Sequence, residues 1–273
     1  MGFNRNYFII IVAATAAVGG MFLLPQQSSS KKEKTADAQQ ATSSLFNITQ
    51  FMADSKSRLQ PGDLIKLEKF SAFTQQADYD SAAALWDKAG IPAIAATVFE
   101  KKAAADKTEI SYLNAAYRYF DGFKMAEDSL ERSYFVDKAI ENYNKVLALN
   151  SENLNAKTDL GICYAEGTSN PMKGITLLRE VVQKDPKHEN AQLNLGFLSV
   201  KSRQFDKALE RFNKVLEINP GRIDTYVFIG QTYLQMGDKE KAIQSFENFK
   251  SLSNNDKAIA EIDAYLKELK AQP

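Results

Sequence analysis

The sequence predicts an all-α protein, a solenoid of stacked helix-turn-helix units. The main observation is an internal repeat with a fixed offset of 34 residues between two segments of the C-terminal half. A unit of this period cannot bury its apolar face alone, so neighbouring units stack and share one core. The second observation is an apolar N-terminal segment without charged residues, which predicts a transmembrane anchor helix before the solenoid. The residues that coincide in the repeat are Gly196, Ala208, Phe212 and Val215 with Gly230, Ala242, Phe246 and Phe249.

Residues 1–25 predict an uncleaved membrane anchor. The run from Tyr7 to Leu24 carries no charged residue and is followed by Pro25. At about 1.5 Å per residue, a helix of this length spans about 27 Å, which is enough to cross a thin bilayer. A cleaved signal peptide is the alternative, but its apolar region normally ends in an Ala-x-Ala-like site. Here the run ends in Met-Phe-Leu-Leu, so we favour the anchor.

The charges around the anchor bear on its orientation. Arg5 lies before the apolar run, and Lys31, Lys32 and Lys34 lie after it, so the positive-inside rule is nearly balanced. Long domains are translocated largely regardless of such charges, and a short basic N-terminus is usual for a signal anchor. The expected location is therefore a single-pass membrane protein of the bacterial inner membrane, with its repeats in the periplasm.

Residues 26–62 predict a polar tether and a short amphipathic helix. The tether, residues 26–40, is rich in Ser, Gln, Lys and Thr and has little apolar surface to bury. Beyond it, apolar or small residues recur at steps of three and four until Pro61 and Gly62 end the helix. This heptad pattern fits either a short oligomerising coil or a single helix that packs on the first repeat. Its positions are Ala38, Ala41, Leu45, Ile48, Met52, Ser55 and Leu59.

Residues 63–256 predict four to five repeats, regular from residue 109. Before that point the register is ambiguous, because the residues around Trp86 and those around Phe99 both match the second helix of a unit. Between Tyr119 and Ala139 the chain has about eleven residues more than the repeat needs, so longer helices or a loop are expected. Residues 257–273 follow as an amphipathic capping helix. Its apolar positions are Ile259, Ile262, Leu266 and Leu269.

The composition excludes several classes of function. Lys plus Arg and Asp plus Glu both total 34, and no basic stripe follows a helix, so nucleic-acid binding is not expected. One cysteine, Cys163, and one histidine, His188, predict neither a disulfide, a metal site nor a catalytic pair. No glycine-rich phosphate loop follows a strand. We therefore expect no cofactor, no metal and no enzymatic activity.

The repeat resembles the tetratricopeptide repeat (TPR) family across most of the chain. A third unit, with one more residue between its helices, precedes the two aligned units and carries Leu160, Gly161, Tyr164, Gly174, Leu178, Val181 and Pro186. The order of anchor, tether and repeats is similar to that of membrane-anchored TPR proteins of Bacteroidota. The resemblance implies a non-catalytic scaffold or adaptor that binds a protein or peptide partner, with envelope protein assembly as the expected setting.

In TPR proteins the first helix of each unit lines a concave groove, and the resemblance implies which residues face the partner. The carboxylate clamp of chaperone-binding TPR domains is absent, because Thr158, Ile162, Asp224 and Phe228 stand where that clamp needs Lys or Arg. The groove is apolar with a few amides, so the expected ligand is an apolar or amphipathic segment. The predicted partner-binding residues are Leu113, Asn114, Tyr117, Phe120, Ile162, Leu193, Asn194, Phe197, Val200, Val227, Phe228 and Gln231, and the same positions include Asn155, Thr158, Asp159 and Asp224.

Two alternatives remain open at the level of the sequence. In the first, the groove is filled by the N-terminal amphipathic helix of the same chain. In the second, the protein is a structural oligomer, in which the anchor and residues 38–59 assemble the chains and the repeats act as spacers.

Overall fold

The computed structural model describes residues 46–271, which all belong to the second of two compact units, Ser44–Pro273. The described part of the chain is helical and contains no strand. The predicted anchor and tether lie outside it, and within 46–271 no helix is long and apolar enough to span a bilayer. The helices are α1 (Ile48–Ser55), α2 (Pro61–Phe70), α3 (Gln76–Lys88), α4 (Pro92–Asp106), α5 (Glu109–Met125), α6 (Ser129–Leu149), α7 (Leu154–Gly167), α8 (Pro171–Lys184), α9 (Glu189–Lys201), α10 (Phe205–Ile218), α11 (Thr225–Met236), α12 (Lys239–Leu252) and α13 (Asp256–Ala271).

Helices α3 to α12 form five pairs, in which a first helix packs on the second helix that follows it. The first helices are α3, α5, α7, α9 and α11, and each second helix also contacts the first helix of the next pair. Short polar turns separate the helices, and side chains such as Asp128, Asn153 and Asp238 cap the exposed N–H groups of the helix that begins after them. The stack is therefore a helical solenoid with local contacts.

The repeated glycines allow the two helices of a pair to approach closely. A Cβ atom on Gly196 would lie 2.5 Å from the ring of Phe212, and one on Gly230 would lie 2.8 Å from the ring of Phe246. Both phenylalanine rings are fully buried. Burial of such a side chain contributes about 1.5–3 kcal/mol, so the small residue on the first helix lets a large one fill the core.

The irregular regions of the sequence correspond to two local changes. The additional residues before Ala139 lie mainly in longer helices, because α5 has 17 residues and α6 has 21, where α7 and α8 have 14 each. The ambiguous register arises because α3 is a first helix that nevertheless buries Ala82, Ala83 and Trp86 like a second helix. Helix α2 packs against α3 and covers that additional face.

The N-terminal helix α1 packs on second helices. The ring of Phe46 lies 5.1 Å from Tyr134 and 5.3 Å from Phe135, both on α6. Phe51 lies 5.8 Å from Phe135, and Thr97 on α4 bonds to Met52. These ring contacts and this hydrogen bond join the N-terminal segment to α4 and α6, which are both second helices. Helix α1 is also shorter than the continuous heptad predicts, because a 3₁₀ turn, Lys56–Arg58, follows Ser55.

The described heptad positions of this segment face the chain's own core. Ser55 and Leu59 are buried, and Ile48 and Met52 pack against the buried clusters beneath them. This is the packing expected of a single amphipathic helix on the first repeats. An intermolecular coil would need the same positions to be available to another chain.

The C-terminal helix α13 covers the end of the stack. Ile262, Leu266 and Leu269 are buried, while Ile259 is only partly so. The Tyr265 ring meets that of Phe246 edge to face at 5.4 Å. The apolar side of α13 thus replaces the first helix of a further repeat.

Candidate functional site

The candidate site is the surface formed by α5, α7, α9 and α11, which we call the first-helix face. Contacts between successive first helices hold it together: the His188 ring at the start of α9 lies 3.0 Å from the Asn155 amide oxygen on α7. Further along, the rings of Phe197 on α9 and Phe228 on α11 lie 4.8 Å apart. All of the predicted partner-binding residues are on these four helices.

Four of the residues expected in the groove are covered by neighbouring helices. Ile162 is 8 % exposed, Leu193 6 %, Val227 3 % and Thr158 1 %. Their side chains pack into the interhelix core, and a partner cannot contact them without a rearrangement of the repeats. This corrects the prediction for these positions, because the helical spacing that points toward the groove also points toward the adjacent first helix.

An aromatic cluster forms the centre of the first-helix face. Phe197 packs between Phe228 and the buried Phe212, whose ring centroid lies 5.4 Å away. Phe197, Phe228 and Val200 remain partly exposed. The Phe197 ring therefore contacts the interhelix core through Phe212 and is also accessible at the surface.

The amide side chains are used in different ways. Asn194 donates from Nδ2 to the backbone oxygen of Asn190 at 2.7 Å, while its Oδ1 accepts no hydrogen bond from another described residue. Asn114 accepts from Arg118 at 3.4 Å, and Arg118 forms an ion pair with Asp87 on α3 at 2.8 Å. Asn194 therefore has an acceptor available for the N–H of a partner, whereas Asn114 is already engaged.

Carboxyl groups dominate the N-terminal part of this face. Asp159 on α7 accepts a hydrogen bond from the Tyr143 hydroxyl at 3.3 Å. Burial raises the pKa of Asp159 to about 7, and burial likewise raises the pKa of Asp121 on α5. Burial also raises the pKa of Tyr117, with the charge of Asp159 as a second cause. This part of the face is polar and weakly acidic, in contrast to the aromatic cluster.

Catalytic and metal-binding arrangements are not found among residues 46–271. No group of His, Cys, Asp and Glu side chains there can hold a metal ion. Cys163 is fully buried, and burial raises the pKa of its thiol well above its ordinary value, which disfavours the nucleophilic thiolate. The Nδ1 of His188 accepts from the backbone of Ala191, so this ring caps α9.

Sequence reasoning missed the contacts that cross from one repeat to another. It did not place Asp87 in the site, because the register was ambiguous before residue 109, and it did not place Arg118 or Asp121 there, because they are not at the positions that face the groove in the family. The spacing of Asn114 and Arg118, one helical turn apart, is the signal that could have identified one of these contacts.

Comparison with known proteins places this fold among repeat proteins. The family profile of Regulator of microtubule dynamics protein 1-3 matches residues 193–272. BBSome complex member BBS4 of Bos taurus is 29% identical over 118 residues, which is 40% of this chain and 21% of that protein. Anaphase-promoting complex subunit 3 of Dictyostelium discoideum is 25% identical over 101 residues, 37% of this chain and 10% of that protein. The match thus spans about a fifth of the length of the first relative and a tenth of that of the second.

Among solved structures, the MamA protein superposes with a TM-score of 0.50 at 21% identity, over 65% of this chain and 91% of MamA. The protein YrrB, described as a TPR protein with an unusual peptide-binding site, gives 0.46 at 19% identity, over 70% and 92%. The MamA likeness concerns the fold. Together with the 34-residue motif and the five stacked helix pairs, it shows that the described part of the chain has a fold of the tetratricopeptide repeat type.

Proposed function

We propose that this protein is a non-catalytic scaffold that holds a segment of a partner protein on its first-helix face. The observation that carries the proposal is the partly exposed aromatic pair Phe197 and Phe228 beside the free acceptor of Asn194. Partly exposed aromatic rings grouped on one surface are typical of protein interaction sites. A neighbouring acceptor can bind a backbone N–H of the segment that covers the rings.

The expected ligand is an apolar or amphipathic segment. Its apolar side chains would contact the aromatic cluster and Val200, and Gln231 would supply a second amide. Toward α5, the partly exposed Leu113, Tyr117 and Phe120 extend the surface. The carboxyl groups of Asp121 and Asp159 at that end favour a polar or basic residue in the ligand.

We place this scaffold on a membrane, with the repeats outside the cytoplasm and envelope protein assembly as its setting. The support is the charge-free run of residues 7–24 and the absence of an Ala-x-Ala-like site at its end. The structural oligomer is less well supported, because the described heptad positions Ile48, Met52 and Leu59 contact the chain's own core.

Site-specific photocrosslinking tests the proposal. Asn194 is replaced by p-benzoylphenylalanine in the full chain in its native membrane. The matched control carries the same group at Asn213, an exposed asparagine on the second helix α10. We expect discrete crosslinked products at Asn194 that are absent at Asn213.

A second substitution separates binding from misfolding. Gln231→Arg places a charge on the first-helix face without removing a core side chain, and it should reduce crosslinking at Asn194 while the helical circular dichroism stays unchanged. Equal crosslinking at both asparagines, or none at Asn194, would contradict the proposed binding face.

A further inference from the structure

A cleft of about 460 Å³ opens between α8, α10 and the C-terminal half of α9. It lies on a different side of α9 from the first-helix face. Its apolar lining includes Ile175, Val182 and Leu198, which are all partly buried. Three cations, Arg179, Lys207 and Arg211, stand around it, and Glu210 is the one carboxylate in the lining that the structure describes. We call this the α8–α10 cleft.

The repeat itself shows why the cleft is open at this place. Ser199 in the lining occupies the position of Tyr164 in the preceding unit and of Tyr233 in the following unit. The alignment is fixed by the glycines, since each of these residues lies three positions after the close-packing glycine of its helix, Gly161, Gly196 or Gly230. The middle unit therefore lacks an aromatic ring that both neighbours have.

In the neighbouring units a lysine covers that ring. The Nζ atom of Lys173 lies 4.0 Å from the ring centroid of Tyr164 and donates to its hydroxyl at 2.7 Å. The Nζ of Lys241 lies 5.3 Å from the centroid of Tyr233. Such cation–π contacts are favourable because the ring face is electronegative.

The equivalent lysine of the middle unit, Lys207, has no ring beneath it. Its Nζ donates to the side chain of Gln204 at 2.7 Å instead. The hydroxyl of Ser199 is turned to the backbone oxygen of Leu195 at 2.8 Å, so it does not fill the space above. The α8–α10 cleft is thus the position of a missing tyrosine ring.

The charge around the cleft also differs from that at the corresponding positions of other units. Arg179 on α8 occupies the position of Asn144 on α6 and of Asn213 on α10, and no hydrogen bond or ion pair joins its guanidinium group to another of residues 46–271. Arg211, in the position of Ser245, donates only to the Gln192 amide oxygen, at 2.7 Å. Two guanidinium groups without a carboxylate partner therefore flank the apolar space.

We propose that the α8–α10 cleft binds an aromatic side chain presented by an acidic segment of another protein. The incoming ring takes the place of the missing tyrosine beneath Lys207. Carboxylates on either side of it pair with Arg179 and Arg211, for which Arg-carboxylate geometry is well suited. This site is separate from the first-helix face, so it stands or fails independently of the function proposed above.

Peptide titration of the isotopically labelled full chain tests this inference. The probes are the blocked pentapeptides Glu-Glu-Tyr-Glu-Glu, Glu-Glu-Ala-Glu-Glu and Lys-Lys-Tyr-Lys-Lys, followed by backbone amide chemical shifts. We expect the acidic tyrosine peptide to shift amides of α8, α9 and α10 around Ser199. The alanine and lysine peptides should each bind at least about tenfold more weakly, a loss of about 1.4 kcal/mol.

In the variant Ser199→Tyr, the new tyrosine ring of the chain itself fills the cleft. Because it restores the residue of both flanking units, it should weaken binding of the tyrosine peptide at least about tenfold while the melting temperature does not fall. The matched control is Ser251→Tyr, the same change at an exposed position of α12. A second variant, Arg179→Asn, again copies the neighbouring units and should weaken binding, with a smaller dependence on salt.

Several results would overturn the inference. These are equal binding of the alanine and tyrosine peptides, shifts outside the cleft, or undiminished binding by both Ser199→Tyr and Arg179→Asn. If the wild-type chain self-associates and Ser199→Tyr abolishes that association, the occupant is a second copy and the proposed acidic partner is wrong.

Discussion

Substitution of the close-packing glycine of α9 provides a direct test of the repeat packing. In Gly196→Ala, the new Cβ would lie 2.5, 2.8 and 3.1 Å from three atoms of the Phe212 ring. That ring is fully buried and is fixed from the other side by Phe197 and Phe228, 5.4 and 5.9 Å away. The ring has little space into which it can move, so the added methyl group must shift one helix against the other.

Two opposing effects set the change in the free energy of unfolding that Gly196→Ala causes. Overpacking a well-packed core costs about 1–3 kcal/mol. Replacing glycine by alanine within a helix stabilises the helix by up to about 1 kcal/mol, because alanine has the higher helix propensity. Gly62→Ala in α2 is the matched control, because nothing lies within 4 Å of its Cβ. Gly62 is the second residue of α2 and gains less helix propensity than the interior Gly196, so we expect Gly196→Ala to be roughly 1–2 kcal/mol less stable than Gly62→Ala.

Urea unfolding followed by circular dichroism measures the difference. A double-mutant cycle with Phe212→Leu, which removes the ring atoms nearest to the new methyl group, should show a favourable coupling between the two positions. If Gly196→Ala were as stable as Gly62→Ala, or if no coupling to Phe212 appeared, the reason given for the repeated glycine would be wrong.

Three further predictions concern the end of the stack, the anchor and the acidic part of the first-helix face. Truncation after Asp256 exposes the apolar end of α12 and should lower the melting temperature or cause aggregation; an unchanged transition would mean that α13 is no cap. Ser29→Cys in a Cys163→Ala background should react with an impermeant maleimide in intact spheroplasts; labelling only after lysis would contradict the topology, and a mature N-terminus beyond Leu24 would contradict the anchor. The pKa of Asp159 is raised to about 7 in the folded chain, so the native state binds more protons than the unfolded one between about pH 4 and pH 7. Stability should therefore fall as the pH rises through that window. The variant Asp159→Asn should reduce the fall in a series of urea titrations, and an identical pH profile would refute the assignment.

The membrane prediction and the solenoid prediction differ in how many positions of the sequence support them. The 34-residue offset depends on many positions at once, and the pairs α9/α10 and α11/α12 follow it. The anchor rests on one segment, residues 7–24, which lies outside the described residues, so its test is chemical labelling.

The sequence determined the helix pairs. Gly196 and Ala208 recur 34 residues later as Gly230 and Ala242, so the same interhelix contact is repeated in both units. It also determined which helices carry the candidate site, since the register from residue 109 defines the first helix of every later pair.

Only the tertiary structure decided which of those residues a partner can reach. Leu193 and Phe197 share one side of α9, yet the first is 6 % exposed and the second remains accessible, because the neighbouring helix covers one and not the other. The position of α1 on the second helices, and the open space beside Ser199, likewise depend on contacts between segments far apart in the chain. Helical periodicity fixes the direction of a side chain on its own helix, whereas burial depends on what the rest of the chain places in that direction.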